Sequence, residues 1–120
     1  MGDKGRHDQA AVPEDLARFF VPRANSGDAD GLAALYEPDA VLAFPPGQVT
    51  VGSEAIREVY ETMLADKPTF TEGEPRPVLR CGDLALTSTR LADGGVTVEV
   101  ARRQPDGTWL WAIDQPNALG

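Results

Sequence analysis

With 120 residues, 42% of them hydrophobic and 25% charged, the chain has the length and composition of one globular domain with an apolar core. Eleven Lys and Arg stand against nineteen Asp and Glu, giving a net charge of -8 and a pI near 4.5. That field repels phosphates and argues against nucleic acid or an anionic membrane as partners. No apolar run approaches the ~20 residues that span a bilayer, and residues 1–9 are polar and mixed in charge rather than signal-like, so a cytoplasmic location is expected.

The lone cysteine and lone histidine narrow the chemistry further. Cys81 admits no intrachain disulfide and sits beside Gly82 in a predicted turn with no base partner suggested, which reads as a bystander. His7 lies within residues 1–12, expected to be a flexible arm. A histidine triad, an imidazole base in the core and a multi-histidine metal site are therefore not expected, nor is a metal or cofactor. Acid-base work would fall to carboxylates, Tyr, Lys or water.

Pro13 suits the first turn of a helix, Glu14 and Asp15 favour its positive end, and Leu16, Phe19, Phe20 and Arg23 recur at i, i+3, i+4 and i+7. This is one buried stripe with an arginine at its wet end. Pro22 falls inside it and lacks the N–H, so a kink or an early end near Phe19 is predicted. Asn25-Ser26-Gly27-Asp28 closes this helix and caps a second over residues 28–36, with Leu32, Leu35 and Tyr36 as its apolar edge and Pro38 as its stop. Asp28-Ala29-Asp30 lacks the Gly and Glu spacing of a calcium loop, so capping is its role.

Residues 40–44, short, apolar and bounded by prolines, predict a strand buried on both faces. Pro45-Pro46-Gly47 predicts a turn, residues 48–51 a second short strand, and Ser53 the N-cap of a third helix with the stripe Ile56, Val59, Tyr60, Met63 and Leu64. Residues 69–80 read as extended but broken by Gly73, Pro75 and Pro77, hence an edge or a sharp bend. Residues 83–91, 96–103 and 108–114 predict three strands joined by Ala92-Asp93-Gly94-Gly95 and Pro105-Asp106-Gly107. Helices followed by an antiparallel meander make an α+β domain with helices on one sheet face.

In the strand from Val96, the residues Val96, Val98 and Val100 alternate with Thr97, Glu99 and Ala101; in the last strand Trp109, Trp111 and Ile113 oppose Leu110, Ala112 and Asp114. Both faces carry apolar residues and helices cover one. The other is expected to meet a second copy in a two-fold homodimer.

Taken together, Ser26-Gly27-Asp28, Leu35-Tyr36-Glu37-Pro38-Asp39-Ala40, Gly52-Ser53-Glu54-Ala55-Ile56-Arg57 and Gln104-Pro105-Asp106-Gly107-Thr108-Trp109 resemble the nuclear-transport-factor-2-like superfamily, most closely its SnoaL-like and ketosteroid-isomerase-like bacterial members. The resemblance covers residues 13–117 as a single domain and leaves 118–120 as a tail. It implies a cone-shaped α+β fold, with a curved antiparallel sheet packed against the N-terminal helices and a pocket at the open end. It also implies a small-molecule pocket protein, acting without a cofactor on an apolar substrate as an isomerase, cyclase or dehydratase. Many such proteins have no known reaction, and a non-catalytic ligand-binding or protein-interaction domain is the alternative. Carried over residue by residue, the general-base Asp of ketosteroid isomerases falls on Phe44, the oxyanion Tyr of the first helix on Phe20, and the second oxyanion donor near Glu99. Two of three roles are unfilled, which argues against steroid isomerisation by that route.

The candidate catalytic residues are Glu99, Asp114 and Tyr60. Glu99 stands mid-strand between Val98 and Val100; facing a pocket, its pKa would be raised and it would act as acid or hydrogen-bond donor, whereas facing outward it would meet solvent or Arg90. Asp114 either pairs with Glu99 or bonds the backbone where the strand ends. Hairpin register decides between these. A three-residue loop with Gly107 in a bulge places Glu99 on the face of Trp111, and a loop one residue tighter or longer places it with Ala112 and Asp114. Tyr60 needs a partner for its hydroxyl if buried. Phe20, Phe44, Met63 and Trp111 are candidates for an apolar pocket wall, or plain core.

Overall fold

Pro13 and the two acids after it start the first helix. In the computed structural model, which describes residues 7–119, α1 (Glu14–Asn25) has Glu14 and Asp15 in its first turn, Arg23 in its last, and Leu16 fully buried. The helix does not end at Phe19. It runs through Pro22, and the Ser26 N–H donates to the Pro22 carbonyl at 3.1 Å. Pro22 is exposed, on the side of the helix away from the core, where a missing backbone donor is tolerated.

Arg23 is half-buried rather than wet. Its guanidinium donates to the carbonyls of Gly31 (2.9 Å) and Asp8 (2.7 Å), tying α1 to the second helix and to the segment before it. That segment is docked from His7 onward: His7 Nε2 lies 2.8 Å from Asp28 Oδ2, and the buried Ala10 accepts a hydrogen bond from the Trp109 N–H at 2.9 Å. The free arm expected over residues 1–12 is thus part of the fold at 7–12, while 1–6 lie outside the described residues. At the other end the Ala118 N–H donates to the Val96 carbonyl (2.8 Å), holding the start of the expected tail.

Asp28 caps α2 (Ala29–Ala33), its Oδ1 accepting from the Gly31 N–H at 2.9 Å. This helix stops three residues before Tyr36, which instead begins β1 (Tyr36–Leu42). Pro38 pushes the residue before it out of the helical region, and the Leu35 carbonyl is taken by the Trp111 N–H at 2.8 Å, so sheet pairing overrides the local apolar periodicity. The strand is buried on one face only: Tyr36, Ala40 and Leu42 point inward, Val41 is half-buried, and Phe44 lies beyond the strand's end. The turn at Pro45-Pro46-Gly47 is closed by the Gln48 N–H on the Pro45 carbonyl (2.9 Å), with Gly47 at φ 77° in a position that favours glycine.

β2 is reduced to Thr50–Val51. The N-cap of α3 (Ser53–Leu64) is Gly52, at φ 95°, and Ser53 is the first helical residue with no side-chain cap bond. A backbone at positive φ takes glycine there, which moves the cap one residue upstream of the serine. Ile56, Tyr60 and Leu64 are buried along this helix, and Val59 and Met63 are half-buried.

The 69–80 segment supplies two short pieces, β3 (Glu74–Pro75) and β4 (Leu79–Cys81), both pairing with β5 (Leu84–Arg90). β6 (Val96–Arg103) and β7 (Trp109–Gln115) complete a seven-stranded sheet of order β2-β1-β7-β6-β5-β3. Every pairing is antiparallel except β1 with β7, which is parallel and closes the expected meander against the first strand. Irregularities between Tyr36 and Val41 and between Val100 and Ala101 bend the sheet. The result is an α+β fold with a curved, unclosed sheet. Leu16, Leu32, Leu35, Leu42 and Ile56 are fully buried between helices and sheet; each such side chain contributes about 1.5–3 kcal/mol through area removed from water.

Candidate functional site

Register places the site. Across β5, β6 and β7, Thr87 pairs with Glu99 and Glu99 with Asp114; the next inward row is Ala85, Ala101 and Trp111. Ala112 is the extra residue of a β-bulge, and it is what lets Trp111 and Asp114 share the inner face although three positions separate them. The Pro105-Asp106-Gly107 loop has the three-residue form, with Gly107 at φ 88° and the Gln104 N–H on the Thr108 carbonyl at 2.7 Å, and the bulge at Ala112 comes in addition to it. Glu99 therefore shares a face with both Trp111 and Asp114, which the two loop registers had offered as alternatives.

Both carboxylates are buried, Glu99 at 6% and Asp114 at 5% exposure. Thr87 Oγ1 donates to Glu99 Oε1 at 2.7 Å. The expected alternative partner, Arg90, pairs with Val96 at the far end of β5 and is exposed. The Tyr36 hydroxyl donates to Asp114 Oδ2 at 2.5 Å and lies 2.7 Å from the Tyr60 hydroxyl. With the Tyr36 proton on an ionised Asp114, Tyr60 is the donor to Tyr36, so the three groups form one chain. Asp114 accordingly does not serve as a backbone cap through its side chain.

Burial sets the electrostatics. It raises the Glu99 carboxyl above its ordinary value, opposed by the hydroxyls of Thr97 and Thr87. Burial first and the Glu99 charge second push Asp114 up to about 7, against the pull of the Tyr36 hydrogen bond. Burial, then the Asp114 charge, raise both tyrosines, Tyr36 well above its usual range. Two carboxyl groups in one dry enclosure cannot both ionise cheaply.

An aromatic shell covers the cluster. The rings of Tyr60, Phe70 and Trp111 lie 5.8, 6.0 and 6.3 Å from Phe20, and Trp111 lies 5.3 Å from Tyr36. Phe20 and Phe70 are half-buried and form its outer layer. Trp111 Nε1 is a buried donor with no hydrogen-bond partner, a state that costs about 1–3 kcal/mol.

Of the seven residues singled out in the sequence, Glu99, Asp114, Tyr60, Phe20 and Trp111 are thus brought together. Phe44 and Met63 are half-buried and pack against the core that holds Tyr36, Tyr60 and Trp111. They also line a groove of about 710 Å3 between α3 and the 45–51 segment, with Val49, Val51 and Val59. Tyr36 and Thr87 belong to the site and were missed. Pro38 was the available signal for Tyr36, since it biases the preceding chain out of a helix; for Thr87 the strand alternation Ala85, Thr87 against Leu84, Leu86 marks a hydroxyl on the side opposite two leucines. Among the described residues no three His, Cys, Asp or Glu side chains are grouped so as to hold a metal ion.

A SnoaL-like domain model matches residues 16–115. Among solved structures, a ketosteroid isomerase-like protein from Erwinia carotovora atroseptica is 24% identical with a TM-score of 0.70, covering 88% of this chain and 92% of its own. A protein of unknown function from Mycobacterium tuberculosis is 22% identical (TM-score 0.69; 87% and 68% covered). One from Streptomyces avermitilis, provisionally described as a dehydratase of the nuclear-transport-factor-2-like family, is 19% identical (TM-score 0.68; 89% and 95% covered). At these identities the likeness is one of fold. No curated protein matches the sequence.

Proposed function

The chain belongs to the SnoaL-like domain family, and on that footing we propose that it binds a small, largely apolar molecule at the Glu99–Asp114 cluster and moves a proton on it without a cofactor, as an isomerase, cyclase or dehydratase does. The observation that carries this reading is the pairing of two buried carboxyls on adjacent strands, with Tyr36 and Tyr60 chained to one of them. Two neighbouring buried carboxyls disfavour being ionised together, so one member would act as base while its neighbour acts as acid. In an isomerisation the ionised carboxylate would take a proton from carbon beside a carbonyl, and the protonated one would return a proton elsewhere on the same molecule. In a dehydration the protonated carboxyl would protonate the departing hydroxyl, and the ionised one would take the proton from the neighbouring carbon as the double bond forms.

Native mass spectrometry of freshly purified protein is the first test, since a retained molecule supplies the substrate for assay. With that substrate, Glu99→Gln is expected to lower turnover by about 100-fold or more while leaving fold and affinity nearly intact. Unchanged turnover removes Glu99 from the mechanism.

A second reading has its own support. The cluster is filled by its own side chains, with Tyr60 5% and Trp111 3% exposed, which suits a non-catalytic domain. Protein that carries no adduct and binds no apolar probe favours it. In either case the outer sheet face, where Leu79, Leu84, Leu86 and Ile113 are exposed, supports a two-fold homodimer through that face.

A further inference from the structure

The indole of Trp111 is the one buried polar side chain among the described residues left without a partner. An indole N–H only donates, so what is missing is an acceptor. The aromatic neighbours do not supply it: Phe20 has none, and the Tyr36 hydroxyl is already engaged by Asp114 and Tyr60. Across the sheet from Trp111 stand Ala101 and Ala85, which bring no polar side-chain atom either. The neighbouring row, two residues along β6 and hence about 7 Å away, is the carboxylate row of Glu99 and Asp114.

We infer that Trp111 Nε1 donates a hydrogen bond to the bound molecule, and that this molecule carries an acceptor oxygen besides the atom on which Glu99 and Asp114 act. The inference rests on the proposed ligand site and names the kind of substrate it takes. A plain hydrocarbon of the same shape leaves the donor unpaired and is discriminated against.

The test is a matched pair of probes, 2-acetylnaphthalene and 2-ethylnaphthalene, which differ by the carbonyl oxygen. Binding to the unaltered chain is measured by calorimetry, and the indole N–H resonances are followed by NMR with Trp109→Phe used for assignment. The ketone is expected to bind about tenfold more tightly, matching one net hydrogen bond, and to move the Trp111 N–H downfield. In Trp111→Phe the preference is expected to vanish. Equal affinity for both probes, with no movement of the Trp111 resonance, overturns the donor assignment and leaves the ligand site standing. A preference that survives in Trp111→Phe also overturns it. Failure of both probes to bind sinks the ligand site together with this inference. The probe pair on the unaltered chain decides the matter even where the variant fails to fold.

Discussion

The two faces of the central strands invert the usual order of a soluble sheet. On the inner face, beneath the helices, stand Thr87, Glu99, Asp114 and a buried indole; on the outer face Leu79, Leu84, Leu86 and Ile113 lie exposed. A carboxylate under helices costs stability and a leucine in water gains none, so neither placement is what folding alone favours. On the function proposed above, each face answers to something other than the stability of one protomer: proton chemistry within and a second copy without.

The contrast is broken most severely from the inside. Leu42→Ala, in the fully buried part of β1, is expected to cost about 2–5 kcal/mol in urea unfolding. Next comes the pH dependence of the inner carboxylates. Asp114 holds its proton up to about pH 7 when folded but only to its ordinary value of 3.8 when unfolded. Between those values unfolding releases a proton, so stability falls as pH rises through the window and reaches its floor above 7. Thermal melts are expected to show that fall, amounting to a few kcal/mol at about 1.4 kcal/mol per pKa unit. In Asp114→Asn the fall should shrink to the part due to Glu99, leaving the variant the more stable protein above pH 7.

Tyr36→Phe is a smaller change. It removes the donor that holds the Asp114 carboxyl down and leaves Tyr60 without its partner, for about 1–3 kcal/mol. A carboxyl-carbon NMR titration should find Asp114 moved further up; a downward move contradicts the chain of hydrogen bonds drawn from the structure. The outer face is sharpened by Leu86→Lys. In one protomer this is expected to cost under about 0.5 kcal/mol, yet light scattering should read a dimer for the parent chain and a monomer for the variant. A monomeric parent at micromolar concentration refutes the partner-bound outer face.

Much of this arrangement was legible in the sequence. The strands around Glu99 and Asp114, the third helix and its buried Tyr60, and the capping by Asp28 all followed from local periodicity and turn chemistry. What local pattern could not carry was decided at a distance. Ala112 looks like any strand residue, and only its opposition to β6 makes it a bulge. Tyr36 continues an apolar helical stripe, and it leaves the helix because the last strand claims the Leu35 carbonyl. Pro22 would end a helix placed inside a core, but here it faces water. Phe44 and Met63 were grouped with the pocket by residue type; they pack against the core and also line the groove between the Pro45 turn and α3.

The parallel seam between β1 and β7 also bears on when the molecule can exist. Tyr36 and Asp114, bonded to one another, are 78 positions apart, and the strand that completes the inner face is the last to be made. During synthesis the helices and β1 emerge with their apolar faces uncovered and wait for β7 to join them. Long-range pairing of this kind is slow because a long loop must close before any contact rewards it. The nascent chain thus passes through an interval in which Leu16, Leu42 and Ile56 lack the completed sheet, and the acid-base cluster comes into being only with the final strand.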